Sequence, residues 1–442
     1  MELWRALKRL WVRDEFRRLL VLRFTAQSAD GTLQVGMASY VLFSPQSQPD
    51  AGAIAAVLAI SLLPFTILGP FVSPLLDRWS RRDVALWSNV IRAALTLVIA
   101  GIVFVNWTSG AGTTTLMVLL LFALSLNRFM LAGLSAGMHH TVSEREYLSA
   151  SSIIPMVGPL GVVVGGAVGL GIRLSLGKFA PTHVADAVIF LVAAAMFVWS
   201  ALVAATFTSR ALGPDEQEEL PSMRHVLRGL AGSGGHLRQR SSALLGLMDM
   251  AATRFLFGLV SVALILVARN RWHPVEDPDA ALADLGVWGA MTGAGFLLAA
   301  VVVPSLVSRV GLRTALVSLL GFGALSTLVV TFTDHRWALF LMSFVVGLVT
   351  QSVKVCVDGL VHAHVDEAFK GRVFTFYDMG FNGAYVLAAV VAMFALPVDG
   401  VSSAAFAVMT LLFVALAALT AWGAARITVE EFERGTEDLA CH

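Results

Sequence analysis

From residue 51 to 76 the chain reads AGAIAAVLAISLLPFTILGPFVSPLL, without one charged side chain. Blocks of this kind recur, separated by short polar links. An apolar run of about 18 or more residues can cross roughly 30 Å of hydrocarbon as a helix. The pattern predicts twelve such spans, at 18–43, 51–76, 84–106, 114–138, 149–172, 184–208, 242–268, 285–307, 312–333, 336–360, 373–396 and 401–425. Very short links between late spans suit antiparallel hairpins. The alternating ~10-residue segments of a membrane barrel are absent. The start, MELWRALKRLWVRDEFRRLL, is basic and amphipathic and is predicted to lie at a membrane surface before span one. It lacks the uninterrupted apolar core and small-residue cleavage site of a signal peptide.

Composition strengthens this reading. Mean hydropathy is +0.78 and only 14% of residues are charged, against about 25% in soluble domains. The expected fold class is an all-α membrane protein with twelve transmembrane helices. A net charge of +1 says nothing about partners, and no nucleic-acid partner is expected. The two cysteines, Cys356 and Cys441, make neither a disulfide framework nor a metal site. His139-His140 and His362-x-His364 have poor metal spacing, so no metal is expected. No G-x-x-x-x-G-K-[ST] phosphate loop, H-E-x-x-H or Ser/His/Asp set is visible, so no enzyme and no cofactor are expected.

An even number of spans puts both termini on one side. With that side cytoplasmic, and with Arg18, Arg313 and Arg336 at span ends counted with the adjoining links, 21 lysines and arginines fall in inside segments, five in outside ones and five within spans. By the positive-inside rule both termini are cytoplasmic. The longest polar stretch, 209–241, divides the spans six and six. The expected organisation is a bundle over 1–208 with its amphipathic start, a central loop at 209–241, a bundle over 242–426 and a tail at 427–442. A weak repeat supports two halves: VSPLLDRWSRRDVAL after span two aligns with VPSLVSRVGLRTAL after span eight, placing Arg78 on Arg309 and Arg82 on Arg313. The link after span four, MHHTVSEREYLSAS, likewise resembles VHAHVDEAFKGRVF after span ten. Equivalent links six spans apart in one orientation mean a parallel repeat, with a pseudo-twofold along the membrane normal.

These features resemble the major facilitator superfamily of transporters over nearly the whole chain. The family motif after span two runs G-x-x-x-D-R-x-G-R-R/K. Here Asp77, Arg78, Arg81 and Arg82 match, and serines 73 and 80 replace both glycines. The resemblance implies a latch between the halves on the cytoplasmic side: Asp77, Arg78, Arg81 and Arg82, with Arg309 from the second copy and Arg372 at the start of span eleven. The alternative is that these charges only fix topology. IIPMVGPLGVVVGGAVGLG in span five resembles the family's antiporter signature through Gly158 and Pro159, an expected hinge, although Gly161 comes one residue early. A tightly packed small-residue helix explains the same residues.

Charges deep in a span cost about 2.5–3.5 kcal/mol each on insertion scales and mark candidate sites. Here they are Asp30, Arg128, Asp249, Arg254, Lys354 and Asp358, with Asn127 beside Arg128. They belong to spans one, four, seven and ten, which line the central cavity in the family resembled. Asp30 is the expected proton carrier, with Arg128 tuning it; a permanent Asp30–Arg128 bridge is the competing reading. Lys354 and Asp358 stand one helical turn apart and can neutralise each other. Arg92 reads as snorkelling or packing near the link before span three.

The expected function is a secondary transporter, foremost a proton-coupled exporter of an amphipathic small molecule. It resembles the bacterial macrolide, multidrug and siderophore exporters. The expected partners are substrate, protons and membrane lipid, for a monomer in the bacterial plasma membrane driven by the proton gradient. A lysophospholipid or other lipid-like substrate, a proton-coupled importer and a non-transporting membrane sensor or scaffold are the alternatives.

Overall fold

The computed structural model describes residues 8, 10–42, 52, 54–57, 59, 79–107, 110–208, 211–213, 232–274, 277–400 and 402–434. Among them, ten helices are long and apolar enough to cross a membrane, those of spans three to twelve. The span-one helix, Asp14–Leu42, has the length to cross but carries Arg23, Gln27 and Asp30 along it. Span two lies almost wholly outside the described residues, as do Asp77 and Arg78. The chain is a multi-pass, all-helical membrane protein.

It divides into two compact units, Met1–Ser47 with Ile67–Ser222, and Gln48–Thr66 with Met223–His442. In the first, the helices of spans three to six are Arg81–Phe104, Gly110–Gly137, Glu144–Leu176 and Thr182–Ala205. Span one packs on spans five and six, and span three on spans four and six. Spans one and five meet through glycine. A Cβ at Gly165 would lie 1.8 Å from the Ser28 carbonyl oxygen, and one at Gly31 2.2 Å from that of Val162. Removing the side chain lets the backbones touch, and the Thr32 hydroxyl then donates to the Gly165 carbonyl at 2.9 Å. The glycine run of span five therefore does the packing that a small-residue stripe does in membranes.

Arg81 and Arg82 of the link after span two have local partners. Arg81 donates to the carbonyls of Ala136 and Leu212 at 3.0 and 3.2 Å. Arg82 reaches those of Phe207 and Ala205, each at 3.3 Å. Ala136 and Ala205 lie in the last turns of spans four and six, where carbonyls lack helical partners and carry the negative end of the dipole. Arg81 and Arg82 thus tie the ends of their own bundle.

In the second unit, the helices of spans seven to twelve are Ser241–Asn270, Pro278–Val310, Leu312–Thr331, Arg336–His364, Glu367–Ala395 and Ser403–Ala425. A shorter helix, 232–239, precedes them, and Val429–Glu433 follows. Span seven packs on ten, eleven and twelve, and span nine on ten and twelve. The pairs one–five, one–six, three–four and three–six of the first unit thus recur as seven–eleven, seven–twelve, nine–ten and nine–twelve. The repeat read from the links is carried by the packing within each unit. Gly311 alone joins spans eight and nine, in a left-handed conformation (φ 79°) that suits glycine. Arg309 and Arg372, the expected latch residues of this half, are exposed.

Candidate functional site

The fully buried Asp30 of span one pairs with the fully buried Arg92 of span three through both charge and a hydrogen bond. Arg92 also lies 4.0 Å from the centre of the Phe197 ring of span six. Two expectations change here. The partner of Asp30 is Arg92 and not Arg128. Arg92 does not snorkel: the helix begins at Arg81, so Arg92 stands about three turns in at 3.6 residues per turn. Its long side chain lies within the bundle. Arg128 is half-buried on span four, with Asn127 buried beside it.

A second buried pair was missed in the sequence. Asp186 of span six faces Arg173 of span five at 3.7 Å and accepts from the Ser39 hydroxyl at 2.6 Å. Both are fully buried, but each sits near a span end, where charges read as loop residues. Gly158 is buried against span one, within 3.6–3.9 Å of Gln27 and Arg23 for an added Cβ, and Pro159 is exposed. Both lie in one uninterrupted helix, Glu144–Leu176.

In the second unit Asp249 is buried, 1% exposed. Its Oδ1 accepts from the Thr420 hydroxyl of span twelve at 2.7 Å. Its Oδ2 is enclosed and meets no hydrogen-bond donor among the described residues. No lysine or arginine forms an ion pair with it among those residues. Asp249 and Asp30 thus sit in opposite settings: one acid has a full counter-charge, the other a single hydroxyl.

Arg254 lies about midway along span seven and meets three aromatic rings. Its guanidinium carbon is 4.4 Å from the Phe381 ring centre, 4.5 Å from Tyr385 and 5.0 Å from Phe257. Phe257 is three residues along the same helix, and the other two share one face of span eleven at i and i+4. The guanidinium makes no hydrogen bond or ion pair among the described residues; Nε is enclosed, whereas the two terminal nitrogens are not. Cation–π contact is worth about 0.5–2 kcal/mol, whereas taking an ion out of water costs several kcal/mol. The rings hold the guanidinium in place without satisfying its N–H groups.

Lys354 and Asp358 pair at 3.0 Å along span ten, as their spacing predicts. Lys354 also stands 5.2 Å from the Tyr377 ring. A largely apolar hollow of about 320 Å³ opens beside span seven, with Leu247, Met248, Ala251, Phe376 and Gly380 in its wall and Arg238 of the preceding short helix also lining it. Ala251 precedes Arg254 by one turn, and Gly380 adjoins Phe381. Among the described residues no group of histidine, cysteine or acidic side chains could hold a metal ion.

No protein-family model matches the sequence. An uncharacterized MFS-type transporter of Mycobacterium tuberculosis is 31% identical over 404 residues, covering 90% of this chain and 88% of its own length. The multidrug efflux pump Tap of the same species is 24% identical over 362 residues, 80% of each chain. Among solved structures, a peptide transporter of the POT family in complex with sulfate superposes with a TM-score of 0.67 at 14% identity, covering 95% of this chain and 96% of that one. The nucleoside transporter NupG does so with a TM-score of 0.63 at 13% identity, over 93% and 98%. At such identities the structural likeness establishes the fold, while the mycobacterial relative carries the classification. This transporter, not an enzyme, therefore belongs to the major facilitator superfamily.

Proposed function

We propose that this secondary transporter exports an amphipathic small molecule in exchange for protons, and that Asp249 takes and releases the proton. The observation that carries this reading is the setting of Asp249: buried in a span, held through one oxygen by Thr420, with no cation paired with it among the described residues. Such a group can change charge as the site opens to one side and then the other. Asp30 is less suited, because a proton on it would leave Arg92 buried and unpaired. In this reading Asp30–Arg92 locks spans one and three, and Asp249 does the work first assigned to Asp30.

The outward direction is supported by the similarity to a multidrug efflux pump. The bias of basic residues supports both termini being cytoplasmic, and the Ala-, Val-, Gly- and Arg-rich composition supports a bacterial plasma-membrane location. Arg81, Arg82, Gly158 and Pro159 are read as scaffold, with Asp77, Arg78, Arg309 and Arg372 kept as the latch. Lys354, Asp358, Asn127 and Arg128 are kept as residues of the substrate path. The working form is a monomer that needs no cofactor beyond the proton gradient.

The test is reconstitution in liposomes under an imposed pH gradient, with a panel of amphipathic compounds. Wild-type protein moves substrate only with the gradient. Asp249→Asn keeps substrate exchange and loses gradient-driven accumulation. Retention of proton-driven accumulation by Asp249→Asn would remove Asp249 from the mechanism.

A further inference from the structure

Three features of the second unit stand outside the proton step: the arginine among aromatic rings, the apolar cavity beside it and the charge pairs at the ends of spans seven to ten. The last are mutually satisfied. Arg271 is bonded to Asp334 and Asp399, and Asp284 to His273 and Arg336. Arg254 has no such partner among the described residues.

We propose that Arg254 is the anion-recognising point of the substrate site, and that the substrate carries a carboxylate or phosphate on an apolar body. This rests on the transport reading above and names the class of molecule moved. Four observations converge. The guanidinium is held by Phe257, Phe381 and Tyr385 from two helices, which restricts its position before any ligand arrives. No acid is paired with it among the described residues, and its terminal nitrogens are not enclosed. A planar guanidinium matches two oxygens of one acid group. An open apolar hollow of about 320 Å³ begins one turn away, at Ala251, and is walled by Leu247, Met248 and Phe376 with the exposed Arg238 at its edge; Arg254 stands beside it and not in its wall. Methionine adapts to varied apolar shapes. The acid group then lies on Arg254 while the apolar body lies toward Met248 and Phe376.

The test is binding to the purified full chain in lipid nanodiscs, corrected for empty discs. The probes share one body: 2-naphthoate, neutral 2-naphthylmethanol and cationic 2-naphthylmethylammonium. Lysophosphatidate and inorganic phosphate separate a lipid headgroup from a free anion. A charged hydrogen-bonded contact gives naphthoate an affinity about tenfold or more above that of naphthylmethanol. Arg254→Gln abolishes that preference, and Arg254→Lys, which keeps charge but not the fork, retains only part of it. In the wild-type protein, naphthoate protects Arg254 from phenylglyoxal, read by mass spectrometry; this readout needs no variant to fold. Equal binding of the neutral probe, preference for the cation, an unchanged preference in Arg254→Gln or absent protection each overturn the assignment. No gradient is imposed, so failure of proton coupling at Asp249 leaves this result standing, and the reverse also holds.

Discussion

Replacing Arg92 by methionine tests whether the Asp30–Arg92 pair is a lock. Both side chains are fully buried, so the substitution leaves the Asp30 carboxylate without its counter-charge. Removing one partner of a buried pair costs about 3–5 kcal/mol. Loss of the contact with Phe197 at 4.0 Å adds about 0.5–2 kcal/mol. For a domain of 150–250 residues, 1 kcal/mol moves the melting temperature by about 2–4 °C. The pair term alone then predicts a fall of roughly 6–20 °C for each unit melting on its own. Asp30→Leu leaves the arginine stranded and falls by a similar amount. The double variant Asp30→Leu/Arg92→Met removes both charges and returns most of the loss, because well-packed apolar replacements of a buried pair are often neutral or stabilising. Thermal unfolding of the four proteins in one detergent gives the coupling energy directly. A double variant as unstable as the sum of the two singles would show that the charges do not act on each other, and the lock would be abandoned.

Gly165→Ala drives a Cβ to within 1.8 Å of the Ser28 carbonyl oxygen and must push spans one and five apart. It is expected to cost at least the roughly 1–3 kcal/mol of an overpacked core. Gly171→Ala, on the same helix with nothing within 4 Å, is expected to be neutral or to gain about 0.5–1 kcal/mol. Equal melting temperatures for the two variants would refute the close contact. Thr420→Val removes the hydroxyl that donates to Asp249 and should cost about 1–3 kcal/mol if the carboxyl has no other donor; an unchanged melting temperature would count against that geometry. In the loop after span nine, the Arg271 hydrogen bond and charge draw the Asp334 carboxyl below its usual range. Its contribution is complete above the unfolded carboxylate value and is lost as pH falls through the lowered one. Asp334→Asn should therefore lose stability relative to wild type near neutral pH, and the gap should close in acid; a gap that widens in acid would reverse the sign.

The sequence shows the helices and the pairing of charges on one helix, but not charge pairs between helices. Lys354 and Asp358 are legible because four residues make a turn, and they do meet. Asp30 has no such clue. Arg23, Arg92 and Arg128 are all within reach of some reading, and only the packing of spans one and three against span six chooses Arg92. Arg92 looked shallow because the apolar block of span three opens at residue 84, whereas the helix opens at Arg81. Asp186 and Arg173 were hidden because a charge near a span end reads as topology. The cage around Arg254 is half legible: Phe257 follows at i+3, but Phe381 and Tyr385 lie more than a hundred residues away and only tertiary packing brings them in.

The two units share a packing plan and use buried charge differently. In the first, each fully buried acid among the described residues faces an arginine: Asp30 meets Arg92, and Asp186 meets Arg173. A proton arriving at either acid would strand a guanidinium in apolar surroundings, so these pairs resist a change of state. In the second, Asp249 and Arg254 sit five residues apart on one helix, roughly 140° around its axis, and do not pair. Asp249 has a threonine and Arg254 has aromatic rings. Each lacks one thing that a transport cycle can bring, a proton for the acid and an anion for the base. Exchanging the settings would separate these roles. An arginine introduced beside Asp249, by Thr420→Arg, supplies a fixed counter-charge. If Asp249 works by changing its charge state, that variant folds, loses proton-driven accumulation and keeps the anion preference set by Arg254. Undiminished proton-driven accumulation in a folded Thr420→Arg protein would mean that the absence of a counter-charge at Asp249 has no part in coupling.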